Sequence, residues 1–573
     1  MKKNILYILL SVALIFSGCE DFLDTESYTK KNNKNFPLTQ EDAMQMTTGI
    51  YTCLKTQIGK PRTSHFFVAE IAGDERFGGG SRSNRESQCI DRIQYSEESQ
   101  FRDFWATCYS AIFRANMAIS TWDNITQWDN PELSNQYLGE VYFLRALFYY
   151  QMVQIFGQVP LLTNPEPVNK PKASPEELYA LITSDLIEAI NLLPSKKYDQ
   201  TESGRATKWA AEAQLARVFL FYTGFYKKDA LPTVDGRSIN KAKVLEYLND
   251  CIENSGHDLV SDFRNIWAYS NEYTRKDYPY SSENNLQWEG DGCKETLFAI
   301  KFGNLADFNE PLGYSNQICL NFALRNQRGG DAASFPYGQG WAIGCVNTTL
   351  WEDWLREEPN DLRRQGTIIS DELELQDNYN GKEWSTDRSK QVEETRYWGK
   401  KYISVLAKDD NGKIWKSYSC LAFNTPENYQ LSHTNDLILT RFADVLLMHS
   451  ELTGTADGIN RVRNRVNLPP VQYSMDVLKR ERRYELALEG IRWWDLMRWG
   501  EAMNVVSAKQ EGVNIKVLGK DEKYTSIFKE RFRKTNGFFP IPESQIALSN
   551  GILEQNPGWT LEDKDAYFEN LPY

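Results

Sequence analysis

The charged stretch Lys479-Arg480-Glu481-Arg482-Arg483-Tyr484-Glu485 continues through Glu489, Arg492, Trp493, Trp494 and Asp495 to Arg498 and Trp499. On a helix, Glu481 and Glu485, and again Glu485 and Glu489, are i,i+4 neighbours, while Arg492 and Asp495 are i,i+3 neighbours. Such a pattern serves either an acid/base cluster or charges paired between helices. Arg matched to carboxylates in bidentate fashion is the better use of so many guanidinium groups, with the three Trp packed beside them. Other chemistries find less support. There is no HExxH, no phosphate-binding Walker loop and no GxSxG. Gly338-Gln-Gly340-Trp-Ala-Ile-Gly344 has the wrong spacing for a dinucleotide fingerprint. The four His (65, 257, 433 and 449) form no ligand-spaced pair. A glycosidase needs two carboxylates roughly 5–9.5 Å apart, and nothing in the sequence singles out a pair among the 78 acids.

The N-terminus carries an address. Met1-Lys2-Lys3, an apolar run from Ile5 to Phe16, and Ser17-Gly18-Cys19 form a secretory signal ending in a lipobox, although Phe16 stands where Leu is usual. Cys19 is therefore the expected lipidation site, anchored because each buried CH₂ contributes about 0.8 kcal/mol. Removing residues 1–18 takes two Lys and no acid, so the formal charge moves from −13 to −15. That balance disfavours nucleic acid, which wants a basic face. The eight remaining Cys contain no CxxC, so neither a zinc nor a redox motif is expected, although one or two bridges could form outside the cytoplasm.

Helices must position most of these residues. Phe104, Trp105, Cys108, Ala111, Ile112, Ala115 and Ile119 follow helical spacing within 96–123, and a second helix spans 132–156 before Gly157. Ser174-Pro175-Glu176-Glu177 is a capped helix start. Another helix carries Trp209, Ala213, Ala216 and Leu220, and helices are expected again at 435–453, 456–466 and 474–500. Between about 260 and 430 the texture is irregular and rich in Gly, Asn, Tyr and Trp, with a strand-like piece at Leu297–Phe302; long segments of this kind are usually functional surfaces. The 16 Trp, 30 Tyr and 28 Phe thus divide into core positions at helical spacing and a remainder in irregular sequence.

The charged stretch also resembles the signature helix of SusD/RagB-like outer-membrane lipoproteins of Bacteroidota, roughly ER-x2-E-x3-EG-x-R-x2-DL-x-RW. Other segments agree in order: Cys19-Glu-Asp-Phe-Leu-Asp24; Phe104-Trp105 through Tyr109, Ile112 and Asn116; Gly204-Arg-Ala-Thr-Lys208 with Ala216-Arg217; and Gly340-Trp341 followed by Asp361-Leu-Arg-Arg364. Arg441-Phe-Ala-Asp-Val-Leu-Leu447 with Ile459-Asn-Arg-Val-Arg463, then Phe539-Pro-Ile-Pro542 and Asn556-Pro-Gly-Trp559, complete the series. Leu362 replaces the usual Pro, and Trp209 a usual small residue.

The resemblance implies a mainly α fold: a TPR-like α-α superhelical scaffold with long irregular loop-rich insertions and minor β. It implies a signal peptide at 1–18, a lipidated tether at 19–35, and a single body at 36–573. That body divides into a helical part (36–259), an irregular ligand-binding part (260–430) and helices returning to the scaffold with a C-terminal wrap (431–573). It further implies a non-catalytic, surface-exposed outer-membrane lipoprotein that captures glycan and passes it to a SusC-like TonB-dependent transporter. No cofactor is expected; a structural Ca²⁺ is conceivable, but no EF-hand spacing supports it. Peptide capture in the RagB manner, a scaffold that uses the helical face only for protein contacts and, more distantly, an extracellular glycoside hydrolase are the alternatives.

Ligand residues vary within this family, so position alone selects them. Neutral sugars offer an apolar ring face fringed with hydroxyls, and aromatic platforms with amide, Arg or carboxylate partners suit them. In the irregular part the candidates are Trp288, Tyr314, Arg325, Phe335, Tyr337 and Trp341. Before the 96–123 helix they are Asp74, Phe77 and Arg85, beside Gly78-Gly79-Gly80.

Overall fold

A computed structural model describes residues 36–97, 99–306, 314–325, 336–374, 391–408, 411, 415–560 and 562–568. Cys19, the signal and tether, and Phe335 lie outside the described residues.

The scaffold is built from α1 (Gln40–Gly59), α2 (Arg102–Thr121), α3 (Glu132–Phe156), α4 (Pro175–Leu192), α5 (Lys208–Tyr226) and α6 (Lys241–Asn254). Each packs on its neighbour along the chain, and α1 also touches α3, so the helices form the stacked series of a TPR-like solenoid. Local chemistry sets their ends. Thr39 with Asp42 and Ser174 with Glu177 are reciprocal capping boxes, a device in which the cap alone contributes about 1 kcal/mol. Gly157 ends α3 at φ 74°, a conformation that costs glycine nothing. α3 is buried on nearly all sides, which explains its run of Leu, Phe, Tyr and Ile without a polar face.

The excursions are tied back by short pairings. β1 (Thr296–Ile300) runs antiparallel to β2 (Leu437–Arg441), with Thr296 opposite Arg441 and a register shift between. Between these strands lie α7 (Gln317–Phe322) and α8 (Leu362–Thr367); after them come α9 (Phe442–Thr453), α10 (Asp457–Arg465), α11 (Met475–Glu485) and α12 (Arg492–Trp499). α9 packs on α6, extending the helical series, and α12 packs on α5. The C-terminal segment returns to the end of α3: Phe539 N–H donates to Ile155 O at 2.8 Å, and Asn556 Nδ2 donates to Phe156 O at 2.9 Å.

The 474–500 region departs from a single helix. It breaks after Glu485 and restarts at Arg492, because Leu488 (φ 62°) and Gly490 (φ 71°) take left-handed conformations. Glu485 and Glu489 are therefore not neighbours on one helix, and Arg492 pairs with Asp74 rather than with Asp495.

Candidate functional site

The charged stretch builds a buried ionic core. Glu485 receives Arg363 at 2.8 Å and Arg441 at 2.5 Å, and also meets Arg465; Glu481 receives Arg363 and Arg463, and Glu489 receives Arg441 and Lys401. Glu295, beside β1, closes the cluster onto Arg441 and Arg465. Burial alone would raise the Glu485 carboxyl, but Arg465, Arg441 and Arg363 hold it well below the usual range. These carboxylates are fully committed to guanidinium and ammonium partners. Breaking such a buried set is costly, and its geometry locks α8, α10, α11 and β2 together.

Several expected ligand residues belong to this interior rather than to a surface. Asp74 is fully buried and ion-paired to Arg492 at 2.8 Å and Arg483 at 3.3 Å; these cations overcome burial and bring its carboxyl to about 2. Phe77 is fully buried against Tyr524, with ring centroids 4.5 Å apart. Tyr337 is fully buried too: its hydroxyl donates to Glu374, which also accepts from Tyr278 at 2.8 Å and pairs with Lys400 at 2.6 Å. Arg85 is half-buried and turned to the Phe568 carbonyl and ring. The full burial of Asp74, Phe77 and Tyr337 corrects the expectation of a sugar-facing role for these three. Irregular chain without extended sheets forms small local cores of its own, and aromatics and ion pairs fill them.

The remaining candidates, Trp288, Tyr314, Arg325 and Trp341, keep part of their surface exposed. Trp288 is half-buried, donates Nε1–H to Ile266 O at 3.2 Å and packs edge-on against Tyr418 at 5.4 Å, beside exposed Tyr273. Trp341, by contrast, borders a polar cleft of about 360 Å³. The cleft is walled by Lys60–Thr63, by Glu86 and Gln100, by α7, and by Gln430. Trp341 meets Tyr429 edge-on at 6.0 Å, and the Arg325 guanidinium lies 5.7 Å from its ring centroid. Exposed Tyr314 sits just before α7, with Lys55 Nζ 5.5 Å from its ring.

The chain folds locally to present Trp341. Trp341 N–H donates to Leu320 O at 2.9 Å and Gly340 N–H to Leu324 O at 2.6 Å, so the 340–342 turn lies on the end of α7. Gly340 is required there: a Cβ would come within 2.5 Å of Ala323 Cβ and 2.6 Å of two carbonyl oxygens. Around the ring, Arg62 donates to Asn321 Oδ1 at 3.2 Å and approaches Glu86 at 3.4 Å, Gln317 donates to Gln430 O at 2.9 Å, and Gln430 donates to the Tyr429 hydroxyl at 2.8 Å. The Lys60 ammonium, 2.7 Å away, holds the Asp103 carboxyl below its usual range. An aromatic face ringed by amides, Arg and carboxylates matches the requirements of a sugar ring and its hydroxyls.

Sequence reasoning did not find Arg62, Gln317, Asn321, Tyr429 or Gln430. Tyr429 carried the same signal as the others, an aromatic in irregular sequence. The polar residues carried none, since only folding brings residues 62, 321 and 430 to one cleft. An interior cavity of about 60 Å³ beside His65 is too small for a sugar; burial brings His65 to about 4, and it stacks on Trp494 at 4.9 Å. Among the described residues no cluster of His, Cys, Asp and Glu is arranged to hold a metal, and no helix is long and apolar enough to cross a membrane.

Comparison with known proteins places the chain. Residues 21–220 match a family described as starch-binding and associating with the outer membrane, and residues 325–559 match the SusD family itself. The chain belongs to the SusD/RagB family. SusD-like protein P38 of Formosa agariphila is 26% identical over 543 residues, which is 88% of this chain and 94% of the relative. Among solved structures, a laminarin-binding SusD-like protein superposes with a TM-score of 0.65 at 22% identity, covering 91% of this chain and all of that one. Surface glycan-binding protein A from Bacteroides thetaiotaomicron in complex with laminarihexaose gives a TM-score of 0.66 at 20% identity, covering 90% and 99%. The SusD fold is thus the helical scaffold and excursions described above.

Proposed function

We propose that this SusD-family chain is a non-catalytic glycan-binding lipoprotein. It is anchored to the outer membrane through acylated Cys19, exposed at the cell surface, and hands captured oligosaccharide to a SusC-like TonB-dependent transporter. The cleft at Trp341 is the proposed binding site, with Trp341, Tyr429, Tyr314 and Arg325 as ring and charge contacts and Arg62, Gln317, Asn321 and Gln430 as hydroxyl partners. Trp288, beside Tyr418 and Tyr273, is kept as an outlying contact for a longer chain.

The observation that carries this reading is the pairing of a half-buried Trp341 with a rim of amide and charged groups in one cleft. Relatives of the same fold whose names record laminarin or laminarihexaose support it. A non-catalytic role is favoured because the conspicuous carboxylates, Glu481, Glu485 and Glu489, are each held by buried cations and have none of the freedom an acid/base pair requires.

Titration calorimetry against a panel of plant, fungal and host oligosaccharides tests the binding step. Trp341→Ala should weaken whichever glycan binds by about tenfold or more, the usual cost of losing a central aromatic anchor. Unchanged affinity in that variant removes the cleft from consideration. The assembly step is tested by detergent extraction, in which the lipoprotein should co-purify with a large barrel; Cys19→Ala should leave the membrane fraction.

A further inference from the structure

A groove of about 370 Å³ lies on the scaffold and shares no lining residue with the Trp341 cleft. One wall is the Trp105–Asn116 stretch of α2, the second is the 160–170 segment after α3, and the third is the 545–553 turn. Hydrogen bonds fasten these walls together. Tyr109 Oη donates to Pro160 O at 2.8 Å, Asn116 Nδ2 to Leu162 O at 2.9 Å, and Asn169 Nδ2 to Leu548 O at 3.4 Å. The groove is thus formed before anything enters it. Its apolar lining is left in water: Phe113 is 50% exposed and Leu548 69%, with Val168 exposed beside them. Contiguous apolar surface of this kind marks a contact site. Glu166 and Lys170 are the charged residues of the lining, and neither forms an ion pair among the described residues.

Where the chain enters the body points to the occupant. Phe36 is the first described residue, and Leu38 O accepts from the Thr126 and Gln127 N–H groups, so the chain enters just past the C-terminal end of α2. Residues 24–35 separate Leu23 from Phe36, and extended they reach about 40 Å. The length of α2 from Thr121 back to Trp105 is about 24 Å, so that reach covers the whole groove. Between Cys19 and Phe36 the large apolar side chains are Phe22, Leu23 and Tyr28. A plain spacer needs none of them, since a polar linker stays in water unaided. The flanking Asp21 and Asp24 offer carboxylates to Lys170, while Lys30, Lys31 and Lys34 offer ammonium groups to Glu166. The family match also begins at residue 21, so the pair lies inside the matched region. We infer that Phe22 and Leu23 dock in the groove between α2, the 160–170 segment and the 545–553 turn. Docking shortens the free part of the tether to Glu20 and Asp21. Acylated Cys19, as proposed above, then holds this face of the body against the lipid surface.

Hydroxyl-radical footprinting reads side-chain exposure and tests this on the mature chain carrying Cys19→Ser. The docking does not depend on acylation, so that substitution leaves it in place. Phe113 and Leu548 should oxidise about threefold more slowly than in the same chain with Phe22→Ser and Leu23→Ser, because docking covers surface that the body alone leaves open. Conversely, Phe113→Asp with Leu548→Asp should raise the oxidation of Phe22 and Leu23 by about threefold. Both positions are exposed, so the body keeps its fold, and circular dichroism confirms it. Phe113 and Leu548 reactivity unmoved by the tether substitutions overturns the inference. Protection of Phe22 and Leu23 that appears only with phosphatidylethanolamine vesicles assigns the pair to the bilayer and overturns it as well. Groove protection that follows protein concentration and survives the tether substitutions assigns the groove to a second copy, with the same consequence.

Discussion

Arg363 Nη1 lies 2.8 Å from Glu485 Oε2, so a guanidinium on α8 meets a carboxylate 122 residues later with neither group reached by solvent. Arg441 and Arg465 converge on the same carboxylate from β2 and α10. Removing the one anion leaves three buried guanidinium groups under-compensated, and this is a far larger penalty than losing a surface pair. Glu485→Gln should destabilise the chain by about 3–5 kcal/mol, the range for breaking a buried pair. Chemical denaturation measures it, and a loss below about 1 kcal/mol would mean that water reaches the cluster.

The turn before Trp341 gives a second prediction. Gly340→Ala forces a methyl against Ala323 and the Leu320 carbonyl, and overpacking of this kind costs about 1–3 kcal/mol. Relief comes most cheaply by moving the exposed side of the turn, which carries Trp341. The expected outcome is a folded protein with glycan affinity reduced about fivefold or more. Affinity at the level of the unsubstituted chain would show that the ring position is not set by this turn.

Much of this architecture was legible before any coordinates. The helix expected at 132–156 occupies Glu132–Phe156, and the Ser174 cap and its Glu177 partner form as the pattern requires. These features are local, set by periodicity and by hydrogen bonds within one turn. The reading of Glu481, Glu485 and Glu489 as structural charges was also available, since guanidinium groups in such number need partners. The break at 486–491 was not visible: 474–500 reads as one helix, and Leu488 at positive φ leaves no mark in the sequence. Of the residues named from sequence, Trp341 and Arg325 do meet, in the cleft proposed for binding. Asp74, Phe77 and Tyr337 were not separable from them, because a ring that fills a local core and a ring that faces solvent have the same sequence context. Arg62, Asn321 and Gln430 come together only through tertiary packing of the 59–63 turn, α7 and the 424–436 segment.

Acid–base behaviour supplies a third prediction. Burial, and then the adjacent Asp74 charge, pushes the Glu75 carboxyl up to about 8, from an ordinary value near 4.5, despite Arg492 and Arg483 nearby. The folded chain therefore holds a proton that the unfolded chain has released. The associated stability is fully present below about pH 4.5 and is lost as pH rises through about 8. Glu75→Gln mimics the protonated form. It should match the unsubstituted protein at pH 5 and exceed it at pH 9, by about 2 °C or more in thermal midpoint. Asp74 has the opposite sign: held near 2, its contribution is present above the ordinary carboxylate value and is lost as pH falls through about 2. A stability difference between Glu75→Gln and the parent that is equal at pH 5 and pH 9 would show that Glu75 is ionised in the folded chain.

The thiols provide the last prediction. Cys53, Cys89, Cys108, Cys251, Cys293, Cys319, Cys345 and Cys420 are all buried and unpaired, so the bridges that an extracytoplasmic location allows are not formed. Burial pushes their thiols up, Cys293 to about 11 and Cys89, Cys319 and Cys345 further. A thiol needs both access and a thiolate fraction to react, and these have neither at neutral pH. Protein lacking residues 1–19 should give almost no reaction with a thiol-exchange chromophore at pH 8 while folded, and eight equivalents once unfolded in guanidinium. Six equivalents would reveal one disulfide. Persistent fast labelling of the folded chain would instead mark a site where the helical packing opens, and the α1–α2 contact holding Cys53 near Cys108 is the first place to look, because Cys53 alone of that pair keeps some exposure.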